Sequence, residues 1–382
     1  MTVRALYVID DLALAGAQRQ LANVLPHMAR HGVDLRVCAL GRDLAMAADV
    51  TAAGADLVAP QASRWSPLVL SQLVRTVRRQ KIQVICSGLA KSIALGRLAA
   101  GMTGAGYVIH DHSGPVWDQP GGIVGPWADR FMRHVALRCA RRADRIIVVS
   151  DHGRDWLQQA VPRTASRIDV IANGVDLDTL TAAWEERAQH RRDLRRELAI
   201  PPDAPIVLYA AGSRRVKRWP LFVDTALRLV AEDPRVVFVG AGGGAAVDGL
   251  QARIDAAGAA DRVRLIGMRD DVPRLMAAAD IFLHPSESES DGIVLKEAMS
   301  VGLPVIASDI PSVHANLLGG RLGQLIPVPD HDGLAQALRD LLAAPDRRHA
   351  LGAAARAHAL QHFGLDASAA AMARVLTDAA PS

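Results

Sequence analysis

Residues 284–309, HPSESESDGIVLKEAMSVGLPVIASD, carry the decisive pattern of this chain. Just before them, DIFL runs into His284 as a short buried strand that ends at Pro285. After the polar turn, EAMSV reads as a helix stopped at Gly302, and LPVIASD as a second buried strand. Strand, loop, helix and strand in that order put the loop at the carboxyl edge of a parallel sheet, where open α/β folds bind ligands. Two carboxylates, Glu289 and Glu297, bracket the loop with seven residues between them. The helix start offers backbone N–H groups around Gly292, Ile293 and Val294, donors of the kind that hold phosphate. An anion cradle flanked by acceptors for hydroxyl hydrogen bonds suits a nucleotide sugar.

Outward from this stretch the same alternation continues. Residues 3–9, 35–40, 84–87, 107–109 and 145–150 form one set of strand-length apolar runs. Residues 206–210, 236–240, 263–266, 281–284 and 305–307 form another. Strands spaced by helical stretches predict parallel sheets, and two such sets predict two doubly wound Rossmann-like domains. The boundary is expected after ANGVD, so that residues 1–180 form the first domain and 181–362 the second. The Ala-rich segment 363–382 has helical spacing and is expected to pack back on the first domain.

A length of 382 residues, half of them apolar, agrees with two cores. The net charge of +4 is spread among many acids and points weakly to anionic ligands or an anionic membrane surface. A nucleic-acid role is not expected, because no aromatic-basic surface pattern is visible. Cys38, Cys86 and Cys139 are far apart, which argues against a disulfide framework or a zinc site and fits a reducing cytosol. No apolar run reaches the ~18 residues of a membrane span, and the chain opens on a strand without a signal-peptide pattern. A cytoplasmic protein is therefore expected. Arg-rich helical stretches such as 133–145 are suited either to anionic lipid or to a solvated face.

Several smaller motifs sit at strand ends. AGSRRVKRWP (211–220) follows a strand and precedes a helix, and gathers Arg214, Arg215, Lys217 and Arg218. Lysine is rare here, with only Lys81, Lys91, Lys217 and Lys296 among 44 basic residues, so its placement in this loop is notable. Arg pairs bidentately with phosphate and Lys supplies a compact charge, so a diphosphate clamp is expected in preference to a solvated basic surface. VIHDHSG (108–114) gathers His110, Asp111 and His112 as a site feature, with a metal reading weaker for want of further ligands. Gly16, in LAGAQ (14–18), offers either close backbone approach to a ligand or a tight turn. GAGGG (240–244) reads as a permissive turn near the nucleotide, since the dinucleotide fingerprint is incomplete. Asp176 and Asp178 follow Asn173-Gly174 and read as a helix-starting loop, not a metal pair.

Taken together, GSRRVKR, FVGAGGG, RLIGMRDDVPRLMAAADIFLHPS, the paired-Glu segment, IANGVD and GRLGQLIPVPD resemble the retaining glycosyltransferases of family 4, over nearly the whole length. That resemblance implies the GT-B fold, two Rossmann-like domains facing each other across a cleft, with acceptor on the first and donor on the second. It implies sugar transfer from a nucleotide-diphospho-sugar, with uridine the commonest base, to a glycan or lipid-linked hydroxyl, without metal or other cofactor. By the same resemblance Glu297 holds the ribose hydroxyls and Glu289 touches the transferred sugar. The amides of Gly292, Ile293 and Val294 meet the sugar and distal phosphate. Lys217, with Arg214 or Arg215 and the turn at Gly212, neutralises the diphosphate. His112, or else His110, contacts the sugar near the reacting carbon, and Gly16 lines the cleft opposite.

Departures from the family pattern are also visible. The first loop has Ala15-Gly16-Ala17-Gln18 in place of two glycines and a Glu. Ser213 stands where Arg is common. Ser290-Asp291 replaces Gly-Phe, which predicts a carboxylate close to the sugar pocket. A nucleotide-sugar epimerase and a non-catalytic nucleotide-sugar-binding subunit are the competing readings; the altered first loop favours the latter.

Overall fold

The computed structural model describes residues 2–13, 16–58, 67–112 and 126–381. Contacts divide the chain into two units, one of residues 1–175 with 365–382 and one of residues 176–364. The first crossing falls at Asp176 because its carboxylate accepts from the Thr179 N–H at 3.1 Å and so starts a helix of the second unit.

The first unit holds strands β1 (Val3–Ile9), β2 (Val33–Ala39), β3 (Leu57–Val58), β4 (Val84–Ser87), β5 (Gly106–Asp111), β6 (Arg145–Val148) and β7 (Ile168–Val170). All described pairings are parallel, in the order β3-β2-β1-β4-β5-β6-β7. Its helices are α1 (Gly16–Met28), α2 (Ala47–Ala52), α3 (Pro67–Arg79), α4 (Ala90–Thr103), α5 (Pro126–Ala140) and α6 (Asp151–Ala160). Strand side chains alternate between the two faces. Ala5, Tyr7 and Ile9 pack with Leu21, Val24 and Met28 of α1, whereas Leu6 and Val8 pack with the α3–α4–α5 side.

The second unit holds α7 (Leu177–Glu185), α8 (Arg187–Glu197), β8 (Ile206–Ala211), α9 (Trp219–Glu232), β9 (Val237–Gly242), α10 (Leu250–Ala256), β10 (Val263–Leu265), α11 (Val272–Ala278), β11 (Ile281–His284), α12 (Ile293–Ser300), β12 (Val305–Ser308), α13 (Pro311–Asn316), β13 (Gln324–Ile326), α14 (His331–Leu342) and α15 (Pro345–His362). Its sheet is again parallel, ordered β10-β9-β8-β11-β12-β13. The last helix, α16 (Leu365–Asp378), belongs to the first unit. It lays Ala369, Met372, Ala373 and Leu376 into the α1 side of the core, so closely that a Cβ on Gly106 would sit 1.9 Å from the Ala379 carbonyl oxygen.

In each sheet the strand order reverses once, between β1 and β4 and between β8 and β11. At such a switch point the loops leaving the two neighbouring strands part to opposite faces and open a crevice at their carboxyl ends. The cationic turn leaves β8 and the paired-Glu loop leaves β11, so topology alone sets them side by side.

Some expectations are corrected. Strands β3, β7 and β13 were not anticipated; they are two or three residues long and half-buried or exposed at most positions, too short for a visible period. Strand β9 runs on through Gly242, so the Gly-rich turn begins later, at Gly242–Gly244, where all three φ values are positive. The basic stretch 133–145 is not one helix: α5 ends at Ala140, and Arg145 opens β6, paired with Asp169.

Candidate functional site

In the second unit, the six residues 212–217 make the crossing from β8 towards α9, and only the last three form a helical turn, Arg215–Lys217. The turn is held from below. The Tyr209 hydroxyl donates to the Lys217 carbonyl, and the Trp219 indole N–H donates to the Gly212 carbonyl at 2.9 Å. Arg218, at φ 56°, reverses the chain into α9. Gly242 lies against Ala211, where a Cβ would meet the Ala211 carbonyl oxygen at 2.1 Å, and Gly244 faces Ser213. The Gly-rich turn is thus the neighbour that lets the cationic loop settle. Arg214 and Arg215 remain exposed, whereas Lys217 is largely covered.

The loop after β11 closes onto this turn. The Glu287 N–H donates to the Val216 carbonyl at 2.8 Å, and Arg218 pairs with Glu287 at 2.8 Å. Lys217 Nζ donates to Glu289 Oε1, and His284 Nε2 lies 3.0 Å from the same oxygen. Burial by itself would push the Glu289 carboxyl up. The Lys217 charge and the His284 ring outweigh it and hold the group well below the usual carboxylate range. Only one of the three Lys217 N–H donors is used in this contact, which leaves two for an incoming anion.

Two side chains of α13 fasten the loop backbone. The Ser312 hydroxyl donates to the Glu289 carbonyl at 2.9 Å, and the Asn316 amide donates to the Asp291 carbonyl. Gly292, at φ 78°, then turns the chain into α12, which starts without a side-chain cap. Its first-turn amides therefore point out of the helix at the carboxyl edge of the sheet. Ile293, Val294 and Glu297 are half-buried on one stripe of α12, Glu297 following the other two by four and three residues, while Leu295, Lys296, Ala298 and Met299 face the core.

The carboxylate expected close to a sugar pocket has a partner within its own unit. Asp291 is buried and turned towards Lys296, whose Nζ donates to both its oxygens at 2.6 and 2.7 Å. Lys296 also lies over the Phe363 ring, 5.2 Å from its centroid. Burying a carboxylate in a dry turn costs hydration that a nearby cation can offset, and here a lysine five residues on lies against it.

In the first unit, β5 carries His110 and Asp111 to its end, with His112 following. The three do not form one cluster. Alternation along the strand sends Asp111 to the α5 side, into a cavity it lines with Arg133 and Trp156. His110 and His112 face Tyr7, whose hydroxyl lies 3.2 Å from His110 Nδ1 and 3.3 Å from His112 Nε2, with the two rings 3.9 Å apart. Gly88 makes room for this hydroxyl, since a Cβ there would sit 2.3 Å from it. Gln20, Ser368 and Met372 complete the cavity around the three rings. Burial pushes the His112 imidazole down to about 4 and holds His110 well below the ordinary histidine range, with His112 adding to the latter effect.

Gly16 is exposed at the start of α1; Leu14 and Ala15 of the same loop lie outside the described residues, as do Ser113 and Gly114. Gln18 is buried and donates to Asp11 Oδ1 at 3.0 Å, so it serves the turn itself. Asp10, at the end of β1, accepts from the Ser92 and Lys91 amides at 2.7 and 3.2 Å and thereby occupies the start of α4. Among the described residues, no group of three His, Cys, Asp or Glu side chains is placed to hold a metal ion.

The histidine pair supports a prediction on pH. Its folded-state pKa values lie below the unfolded value of about 6.5, so the unfolded chain takes up protons first as pH falls. The stability contribution is complete above that value and is lost as pH falls towards the folded His112 value of about 4. Melting midpoints followed by near-ultraviolet circular dichroism are expected to drop across this window in the wild type. They are expected to drop less in His112→Asn, and identical slopes would dismiss His112 as a source.

Comparison with known proteins brings both halves to one place. Residues 14–179 match the family model described as Glycosyltransferase Family 4, and residues 190–358 the one described as Glycosyl transferases group 1. A D-inositol 3-phosphate glycosyltransferase of Xylanimonas cellulosilytica is 37% identical over 218 residues, covering 56% of this chain and 52% of the relative. An alpha-D-kanosaminyltransferase of Streptomyces kanamyceticus is 26% identical over 70% of this chain and 69% of its own. The chain thus spans about half the length of the first of these curated relatives and about two thirds of the second. Among solved structures, Anabaena HepE in complex with UDP-glucose superposes with a TM-score of 0.84 at 22% identity, covering 98% of this chain and 99% of that one. A sucrose-phosphate synthase of Thermosynechococcus elongatus gives 0.77 at 21% identity, with 98% of each chain covered. These likenesses show a shared fold.

Proposed function

The chain belongs to the family 4 glycosyltransferases and has their GT-B fold, and on that premise we propose that it moves a sugar from a nucleotide-diphospho-sugar to an acceptor hydroxyl with retention of anomeric configuration. The observation that carries this reading is the meeting of Lys217 and Glu289 beside the uncapped start of α12 at the β8/β11 switch point. One cation, one carboxylate and a set of outward amides match the parts of such a donor: pyrophosphate, sugar hydroxyls and distal phosphate.

In this reading Lys217, with Arg214 or Arg215 and the Gly212 backbone, receives the pyrophosphate. The amides of Gly292, Ile293 and Val294 receive the distal phosphate and sugar, Glu289 accepts from sugar hydroxyls, and Glu297 accepts from the ribose. His112 or His110 meets the sugar near its reacting carbon, with Gly16 on the acceptor side. The bond from the anomeric carbon to the phosphate oxygen breaks, and its electron pair stays on the nucleotide diphosphate. The acceptor oxygen bonds to the same face of that carbon, and its proton passes to the departing phosphate oxygen. Positive charge from Lys217 and the helix start is greatest in effect where negative charge grows, so no metal is required for the step.

The donor is proposed to be UDP-linked, supported by the UDP-glucose held by the Anabaena protein. The acceptor is proposed to be a hydroxyl of a glycan or a lipid-linked polyol, and the relatives' names add inositol phosphate to that class. The test is a thermal-shift screen of nucleotide sugars, followed by proton NMR of the product formed with myo-inositol phosphate and glycan acceptors. A raised melting point with UDP-sugars and an α-linked product from an α-linked donor are expected. A β-linked product would rule out retention, and no response to any nucleotide sugar would end the reading.

A further inference from the structure

We propose that the α3–α4–α5 face of the first unit is a docking surface for an anionic lipid bilayer. Helix α4 packs between α3 and α5. The inner side of α4 buries Ile93, Ala99 and Ala100 in the core, yet its outer side carries Leu98 and Met102, 53% and 54% exposed and one turn apart. On α5, Trp127 and Phe131 are 84% and 68% exposed, again one turn apart, and Leu68 of α3 is 62% exposed. Five of the nine large apolar side chains recorded as exposed among the described residues therefore stand on three neighbouring helices. Single exposed hydrophobes are ordinary; a group led by Trp and Phe marks an interaction surface.

The charge around them selects the partner. The three helices hold eight Lys and Arg residues and one acid, Asp129, a formal +7 where the whole chain is only +4. Everything outside them therefore sums to −3. No acidic residue occurs between Asp56 and Asp111. Arg75, Arg78, Arg79, Arg130 and Arg138 are exposed, and Arg78 reaches across to donate to the Met102 carbonyl at 3.1 Å, setting a guanidinium beside that apolar side chain. Aromatic and aliphatic side chains ringed by arginine fit the boundary between acyl chains and anionic headgroups. A second copy of the chain would bring +7 against +7, which disfavours self-association through this face. Among the described residues no helix is long and apolar enough to cross a membrane, so the contact is with the bilayer surface.

The test uses the full chain and vesicle flotation. Phosphatidylcholine vesicles containing phosphatidylglycerol are expected to recruit the protein about tenfold better than phosphatidylcholine alone, and added salt is expected to weaken recruitment. Trp127→Ser with Phe131→Ser, and separately Arg130→Glu with Arg138→Glu, are each expected to lose about tenfold in partition at an unchanged melting midpoint. Equal recruitment to neutral vesicles, salt-insensitive binding by the wild type, or variants that float like the wild type would overturn the proposal. So would a wild-type dimer, seen by sedimentation, that the serine variant dissociates while vesicles recruit neither.

Discussion

Replacing Lys217 with alanine is expected to lower kcat for sugar transfer about 10²–10³-fold, the cost of losing one preorganised donor at an oxyanion, ~2.7–4 kcal/mol. The ammonium is fixed before substrate arrives, by its contact with Glu289 and by the Tyr209 hydroxyl on its own carbonyl. Little reorganisation is then needed when the leaving phosphate gains charge. Because that charge grows mainly in the transition state, kcat should fall more than KM rises. The variant also leaves the Glu289 carboxyl nearly buried with His284 as its remaining contact, so its depressed pKa should rise. In the wild type this group contributes stability above its unfolded pKa that is lost as pH falls. The variant should lose part of that contribution, so its melting midpoint should fall less steeply than the wild type's as pH drops below the unfolded carboxyl value of about 4.3. A variant with near-wild-type kcat would remove Lys217 from the chemistry.

Breaking the Asp291–Lys296 pair is the second large effect. Asp291→Leu or Lys296→Met alone is expected to cost about 3–5 kcal/mol, because each takes the opposite charge away from a buried ion. Both side chains are at most 5% exposed, so water cannot rescue the survivor. For a domain of this size that corresponds to a fall of roughly 6–20 °C in melting midpoint. Asp291→Leu combined with Lys296→Met should be close to neutral or even stabilising, since an apolar pair of similar volume requires no desolvation of charge. Urea unfolding of the four-member cycle gives the coupling directly. Single-variant costs that simply add in the double variant would show the pair to be uncoupled. The singles should also weaken donor binding, since Asp291 immediately precedes Gly292, which turns the chain into α12.

Much of the fold was legible because strand and helix periods are written locally. IFLH and VIAS are continuous apolar runs, as expected of strands covered on both faces, and Gly302, at φ 67°, ends α12 where a stop was read. Strands β7 and β13 escaped notice because three residues carry too little pattern. The chance that Lys217 and Glu289 meet was readable from two loops leaving strands of one sheet, since parallel strands place their carboxyl ends on one edge. His284 was missed as a partner of Glu289, having been read as the end of a buried strand. Lys296 was noticed as rare and given no role; a lysine on the core side of a helix, five residues after an acid in a turn, was the available signal. Tyr7, in the middle of an apolar strand, gave no local sign that it joins His110 and His112.

From its sequence alone this protein has two parallel α/β units, a cationic loop and a paired-Glu loop at strand ends, and a glycine-started helix. Those follow from backbone period and turn chemistry, which each short segment carries within itself. Only the tertiary structure decided that Glu289 shares its charge with Lys217, that Asp291 turns inward to Lys296, and that Asp111 leaves its neighbouring histidines for the other face of the sheet. Those outcomes depend on which strands lie side by side and on which charges are sealed from water, and burial assigns partners to charges that no local segment can choose by itself.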